Sequence, residues 1–308
     1  MSSNPNYTPA ELAEMICELK KARNAVILAH NYVLGEVQDI ADFCGDSLEL
    51  SQKAAAVTAD VIVFAGVRFM AETAKILSPE KIVLLPVPDA GCAMADMIDE
   101  AKLAEFKAAH PDSVTICYVN TTAATKTGVD ICCTSANAER IAAKVPEDKK
   151  ILFVPDGNLG RNVARKLGRE VIPYKGYCPI HQRLSVEIIE QRRREFPGAV
   201  VFVHPECAPE IVAAADAALS TGMMLDFVKK SDADTFIVGT EVGIIHRLRK
   251  ENPGKRFVAL TEQAICPDMK KCELWDIYCA LRDMREQIEL PNEVIEQARG
   301  SIERMLEA

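Results

Sequence analysis

Cys92, Cys178 and Cys266 recur at gaps of 86 and 88 residues (178−92, 266−178) in a chain of 308. Two further sets keep the same rhythm. His30, Tyr118 and His204 are spaced 88 and 86, and so are Ser47, Ser135 and Thr221. A period shared by a thiol, a ring-bearing polar residue and a hydroxyl points to three similar units whose equivalent edges meet at one place. That place would hold three thiols, three rings and three hydroxyls.

Free cysteine is among the most buried residue types. A plain core role suits Cys17, Cys117, Cys132, Cys133 and Cys279, while Cys44, Cys207 and Cys272 stay unassigned. The periodic three stand apart because each ends a unit in a turn context, with Gly91, Pro179 and Pro267 beside them. Structural zinc takes four ligands, often as C-x-x-C pairs, and no such pair occurs here. A four-iron cluster on three cysteines leaves one iron open as a Lewis acid, whereas electron carriers use four. Three thiols therefore favour chemistry over electron transfer.

The ring set closes the first strand of each unit, and the residues two further on (Tyr32, Asn120, Glu206) are again polar. Alternation along an extended segment puts both members of each pair on one side. His, Glu and an activated Tyr can all move protons. Ser47, Ser135 and Thr221 stand at predicted helix starts, where a hydroxyl ordinarily caps the helix. Helix N-termini also attract anions, so three of them facing one point would suit a ligand set carrying about three anionic groups.

Short apolar runs without alternation place strands at 25–29, 61–65, 82–86, 114–119, 151–155, 171–173, 199–203, 235–239 and 256–260, as expected for strands covered on both faces. Helical spacing between them, as at 47–57, 69–77, 136–145 and 161–167, implies parallel sheets with right-handed crossovers. Each unit thus reads strand, helix, strand, helix, strand. The expected fold is α/β: three similar three-layer αβα domains with short parallel sheets, pseudo-threefold around a central site. The expected divisions are 1–95, 96–181, 182–268 and a helical tail, 269–308, with helices at 272–284 and 291–306 that pack back on the body. Thr8, Pro9 and Glu11 signal a capped first helix.

A net charge of −9 gives a nucleic-acid partner no support. Residues 1–15 lack the charged and apolar regions of a signal peptide, and no apolar run reaches the length of a membrane span. Together with the eleven cysteines, this makes a reducing cytoplasm the expected location.

The motifs A-H-N-Y (29–32), G-D-S (45–47), G-C-A-M-A-D-M (91–97), Y-V-N (118–120), T-S-A-N (134–137), G-Y-C-P (176–179), H-P-E-C (204–207) and C-P-D-M-K (266–270) resemble those of the A-type quinolinate synthases of bacterial NAD biosynthesis. The resemblance implies a [4Fe-4S] cluster held by Cys92, Cys178 and Cys266. It also implies condensation of iminosuccinate with dihydroxyacetone phosphate to quinolinate, phosphate and water. Substrate-binding residues carried over are His30, Ser47, Tyr118, Asn120, Ser135, His204, Glu206 and Thr221. Tyr32 and Glu206 resemble the proton-transfer pair, with His204 assisting. A functional link to the enzyme supplying iminosuccinate follows from the same likeness. Some members carry C-x-x-C-x-x-C around the last ligand. Here Gln263 and Met269 replace the flanking thiols, so no redox switch is expected there. Two rival readings stay open from the residues alone: a non-enzymatic iron–sulfur sensor, and a metal-free phosphate-binding protein with packing thiols.

Overall fold

A computed structural model describes residues 7–308; residues 1–6, the start of the stretch weighed above as a leader, lie outside the described residues. The helix α1 (Pro9–Ala22) leads into β1 (Ala25–His30), α2 (Gly35–Ile40), β2 (Phe43–Gly45), α3 (Ser47–Ala56), β3 (Val61–Ala65), α4 (Arg68–Leu77) and β4 (Ile82–Leu84). The series repeats as α5 (Glu100–Ala108), β5 (Ser113–Tyr118), α6 (Ala123–Lys126), β6 (Ile131–Cys133), α7 (Ala138–Lys144), β7 (Lys150–Val154), α8 (Gly157–Leu167) and β8 (Val171–Pro173). It repeats again as α9 (Val186–Glu195), β9 (Val200–Val203), α10 (Pro209–Ala214), β10 (Ala217–Ala218), α11 (Thr221–Lys230), β11 (Thr235–Gly239), α12 (Ile244–Glu251) and β12 (Arg256–Ala259). Finally come α13 (Leu274–Asp283) and α14 (Asn292–Glu307).

The strands form three parallel sheets with one common order: β2-β1-β3-β4, β6-β5-β7-β8 and β10-β9-β11-β12. The architecture is α/β, three αβα units in pseudo-threefold array. Each sheet has one strand more than the apolar runs suggested. The additional edge strands β2, β6 and β10 are only two or three residues long, too short to leave a hydrophobic signature. A carboxylate ties each edge to its neighbour. Asp42, Asp130 and Asp216 accept the backbone N–H of Ile27, Thr115 and Val201, each at 2.7 Å. These aspartates are themselves spaced 88 and 86. Lys81, Arg169 and Lys255 keep the same spacing and donate to carbonyls just past α3, α7 and α11: Val57, Val145 and Ser231. Basic side chains there offset the negative end of the helix.

Buried strands supply the core; β3 is buried along its whole length. The Thr8–Glu11 capping box forms, with Pro9 in the first turn of α1. Helix starts differ from expectation at α7, α8 and α13, the last beginning at Leu274 rather than Cys272. α7 begins at Ala138 because Thr134 and Asn137 hold a turn through Thr134 N–H to Asn137 Oδ1 (2.8 Å). α8 begins at Gly157, capped by the Asp156 carboxylate, which accepts from the amides of Asn158 and Leu159. At the end of the chain, α13 lies on α1 and β3, and α14 lies on α4, α6 and β6. Among the described residues no helix is long and apolar enough to cross a membrane.

Candidate active site

All three periodic sets lie at the carboxyl ends of the strands, where ligands of parallel sheets gather. The ring set ends or directly follows β1, β5 and β9; the hydroxyl set follows the short edge strands; the cysteines follow β4, β8 and β12. Every sequence-chosen residue lines one cavity of about 230 Å³: His30, Tyr32, Ser47, Cys92, Tyr118, Asn120, Ser135, Cys178, His204, Glu206, Thr221 and Cys266.

The three cysteines share one local design. Each precedes a short 3₁₀ turn, and the backbone N–H groups two and three residues ahead favour its thiolate. They belong to Met94 and Ala95 for Cys92, Ile180 and His181 for Cys178, and Asp268 and Met269 for Cys266. Burial outweighs these amides and pushes the Cys92 thiol up to about 12, Cys178 well up, and Cys266 up. Metal binding must therefore expel protons. The donor set fits a three-cysteine cluster: three sulfurs, each with two backbone amides that favour its thiolate, line a common cavity. N–H···S bonds tune cluster potentials. Cys178, His181 and Glu206 also bring ligand atoms within 4.8 Å of one another. His181 and Glu206, however, are engaged with each other.

The rings carry a second repeated device. His30 Nδ1 accepts the N–H of Tyr32 (3.2 Å), and His204 Nδ1 accepts that of Glu206 (3.3 Å). Burial lowers the two imidazoles to about 3 and about 4, so both are neutral near pH 7. With Nδ1 accepting, the proton sits on Nε2. His204 Nε2 lies 3.2 Å from Ser135 Oγ.

A continuous chain of polar side chains crosses the cavity wall. Tyr32 Oη lies 2.5 Å from Thr240 Oγ1, and Thr240 Oγ1 lies 2.8 Å from His181 Nε2. His181 Nδ1 lies 2.7 Å from Glu206 Oε2, and Tyr118 donates to Glu206 Oε1 at 2.5 Å. Burial opposes ionisation of Glu206, but His204 and His181 beside it, with the hydrogen bond from Tyr118, hold its carboxyl below the usual range. An ionised carboxylate only accepts. The His181 Nδ1–Glu206 Oε2 approach is not aligned as a hydrogen bond, so the line of side chains from Tyr32 to Glu206 has no fixed direction. Burial and the Glu206 charge push the Tyr32 and Tyr118 phenols well above their ordinary value.

The hydroxyl set is not spent on capping. Asp46 and Ser220, each one residue earlier, cap α3 and α11. Ser47 and Thr221 are thus free to face the cavity. Asn120 Oδ1 is buried there without a hydrogen-bond partner.

Sequence reasoning missed Thr240, Glu241 and Lys270, and gave His181 only its nearness to Cys178. Thr240 and Glu241 directly follow β11, as Pro155 and Asp156 follow β7. The matched carboxyls of Asp156 and Glu241 were a legible signal; Thr240 had none. Lys270 binds Glu241 (2.9 Å) and the carbonyl of Tyr32. Gly243 permits this, because a Cβ there would stand 2.5 Å from Lys270 Nζ and 2.6 Å from Tyr32 O.

A family model described as quinolinate synthetase A protein matches residues 14–307. A quinolinate synthase of Dehalococcoides mccartyi strain CBDB1 is 52% identical over 295 residues, covering 96% of this chain and 97% of the relative. Those of Geobacter metallireducens and Methanoregula boonei are each 49% identical, over 295 and 297 residues, with 96% of this chain covered and 97% and 98% of the relatives.

Proposed function

The chain belongs to the quinolinate synthetase A family, and on that premise we propose that its cavity condenses iminosuccinate with dihydroxyacetone phosphate to quinolinate, releasing phosphate and water. The observation that carries the mechanism is the line of polar side chains from Tyr32 to Glu206 on the wall of a cavity that also presents three sulfurs. Cys92, Cys178 and Cys266 would hold a [4Fe-4S] cluster, which would supply Lewis-acid chemistry at an open iron.

The remaining work falls to side chains. Glu206, ionised, takes a proton from carbon as the triose-derived part enolises. Tyr32, protonated, gives one to the departing hydroxyl. After both steps the pair is displaced by one proton, Glu206 protonated and Tyr32 ionised. Thr240 and His181 form the path by which that proton returns: with His181 as the Nε2–H tautomer, Nδ1 takes the proton from Glu206 as Nε2–H gives to Thr240 and Thr240 gives to Tyr32. The Nε2–H group of His30 and the hydroxyls of Ser47, Ser135 and Thr221 bind carboxylate and phosphate oxygens, with His204 holding the Ser135 oxygen. Asn120 Oδ1 accepts from a substrate N–H or O–H. Another enzyme must supply the imine. Eleven free thiols suit a reducing compartment such as the cytoplasm.

The test is anaerobic reconstitution and assay with both substrates, beside Cys92→Ser, Cys178→Ser and Cys266→Ser. Each variant is expected to lose the cluster's visible absorbance and, to at least about a hundredfold, turnover. A variant that keeps both would end the ligand assignment.

A further inference from the structure

Asn31 is completely buried between His30 and Tyr32, and neither the cluster nor the proton chain uses it. Its Nδ2 lies 2.9 Å from Thr221 Oγ1, linking the first unit to the start of α11 in the third. Its Oδ1 takes Arg247 Nη1 at 3.0 Å and the Cys44 thiol at 3.5 Å. A guanidinium only donates. Arg247 therefore settles the amide's orientation: oxygen toward Arg247, nitrogen toward Thr221. Arg247 is itself held by Glu251 (2.6 Å) and the Cys44 carbonyl (2.5 Å), and Gln38 Nε2 holds the Asn31 carbonyl (3.2 Å).

We propose that Arg247 and Asn31 are positioning residues that force the Thr221 hydroxyl to donate into the substrate cavity. Thr221 Oγ1 already accepts a hydrogen bond from Asn31, so its one O–H bond must point elsewhere. Among the described residues it has no other hydrogen-bond partner, and Thr221 lines the cavity. Its O–H is thus offered to an anionic oxygen of the substrate. Arg247 sets this polarity without reaching the ligand. His204 does the same for Ser135: its Nε2–H donates to Ser135 Oγ and leaves the serine proton for the cavity. Hydroxyls that face the ligand are in this way converted from two-way groups into donors, which selects anions over neutral analogues. The inference rests on the reaction proposed above and deepens it by saying what fixes recognition of the anionic substrates.

Asn31→Asp tests it in the reconstituted holoenzyme. Aspartate keeps the Arg247 contact but accepts from Thr221, turning the hydroxyl's lone pairs to the cavity. A lost hydrogen bond to a charged group corresponds to about a 10- to 100-fold rise in KM for one of the two substrates, with kcat changed less than about threefold. Thr221→Val should raise the same KM, and the double variant should be no worse than the poorer single one. Arg247→Met, which frees the amide to turn, should raise that KM by a smaller factor at an unchanged unfolding temperature. A purely structural Asn31 predicts equal loss of kcat, lower thermal stability and additive effects, and that pattern overturns the proposal. If Asn31→Asp does not retain the cluster, the Arg247→Met and Thr221→Val pair decides on the same readouts. If wild type turns over and neither KM moves, only the positioning role fails. If reconstituted wild type makes no quinolinate, the proposed reaction fails and takes this inference with it.

Discussion

The cysteine turns and the strand ends beside them follow one period but have fared differently. At the turns all three units keep the same residue and the same pair of amides, two and three positions ahead. At the strand ends the three units carry His, Tyr and His, followed two residues on by Tyr, Asn and Glu. A cluster face asks for equivalent ligands, and a threefold array supplies them. The substrates have no threefold symmetry, so their binding and proton transfer need different groups at equivalent positions. The units are uniform at the cysteine turns and divergent at the strand ends.

Glu206→Gln should separate the two regions most sharply. Losing the base at one strand end should lower kcat by about 10²- to 10⁴-fold while the cluster's absorbance stays at the wild-type level. A cluster lost along with activity would break the division, and unchanged activity would favour an iron–sulfur protein without catalysis. Thr240→Val cuts the chain between Tyr32 and His181. It should cost about 10- to 100-fold in kcat and shift the pH–rate profile, with little change in KM for either substrate. An unaltered profile would remove Thr240 from the path.

The smallest effect concerns stability. His30 and His204 are buried and neutral, with values lowered by burial to about 3 and about 4. Unfolded, both protonate near the ordinary imidazole value of about 6.5. Between those limits the unfolded chain binds more protons, so stability is full above about pH 6.5 and is lost as pH falls toward 4. Glu206, held below its ordinary value, adds in the same direction at lower pH. Denaturant titrations of cluster-free protein at pH 7, 6 and 5 should show the decline. His204→Gln should flatten its slope by up to one proton. An equal slope would mean that His204 is protonated in the fold.

The central strands and most helices were legible because buried parallel strands leave continuous apolar runs. β2, β6 and β10 were not, since pairs or triplets of residues carry no period; their aspartate anchors, Asp42, Asp130 and Asp216, did. Those aspartates, with Lys81, Arg169 and Lys255, share the spacing of the cysteines but serve the sheet edges and helix ends. Periodicity therefore marks what three units have in common, whether scaffold or chemistry. It is blind to what one unit alone contributes. Thr240 and His181 belong to that class and emerge only when side chains of different units touch. The hydroxyls at 47 and 221 looked like caps until Asp46 and Ser220 took that task.

The sulfurs that face the cavity are strung along 174 residues of sequence (266−92). A nascent chain leaving the ribosome has no complete metal socket until its last third has emerged, so metal loading comes after synthesis. A metal core held by these sulfurs would tie Cys92 to Cys266 across a very long loop. Part of its affinity is then spent holding the three units together, and iron starvation would loosen the scaffold as well as silence the chemistry.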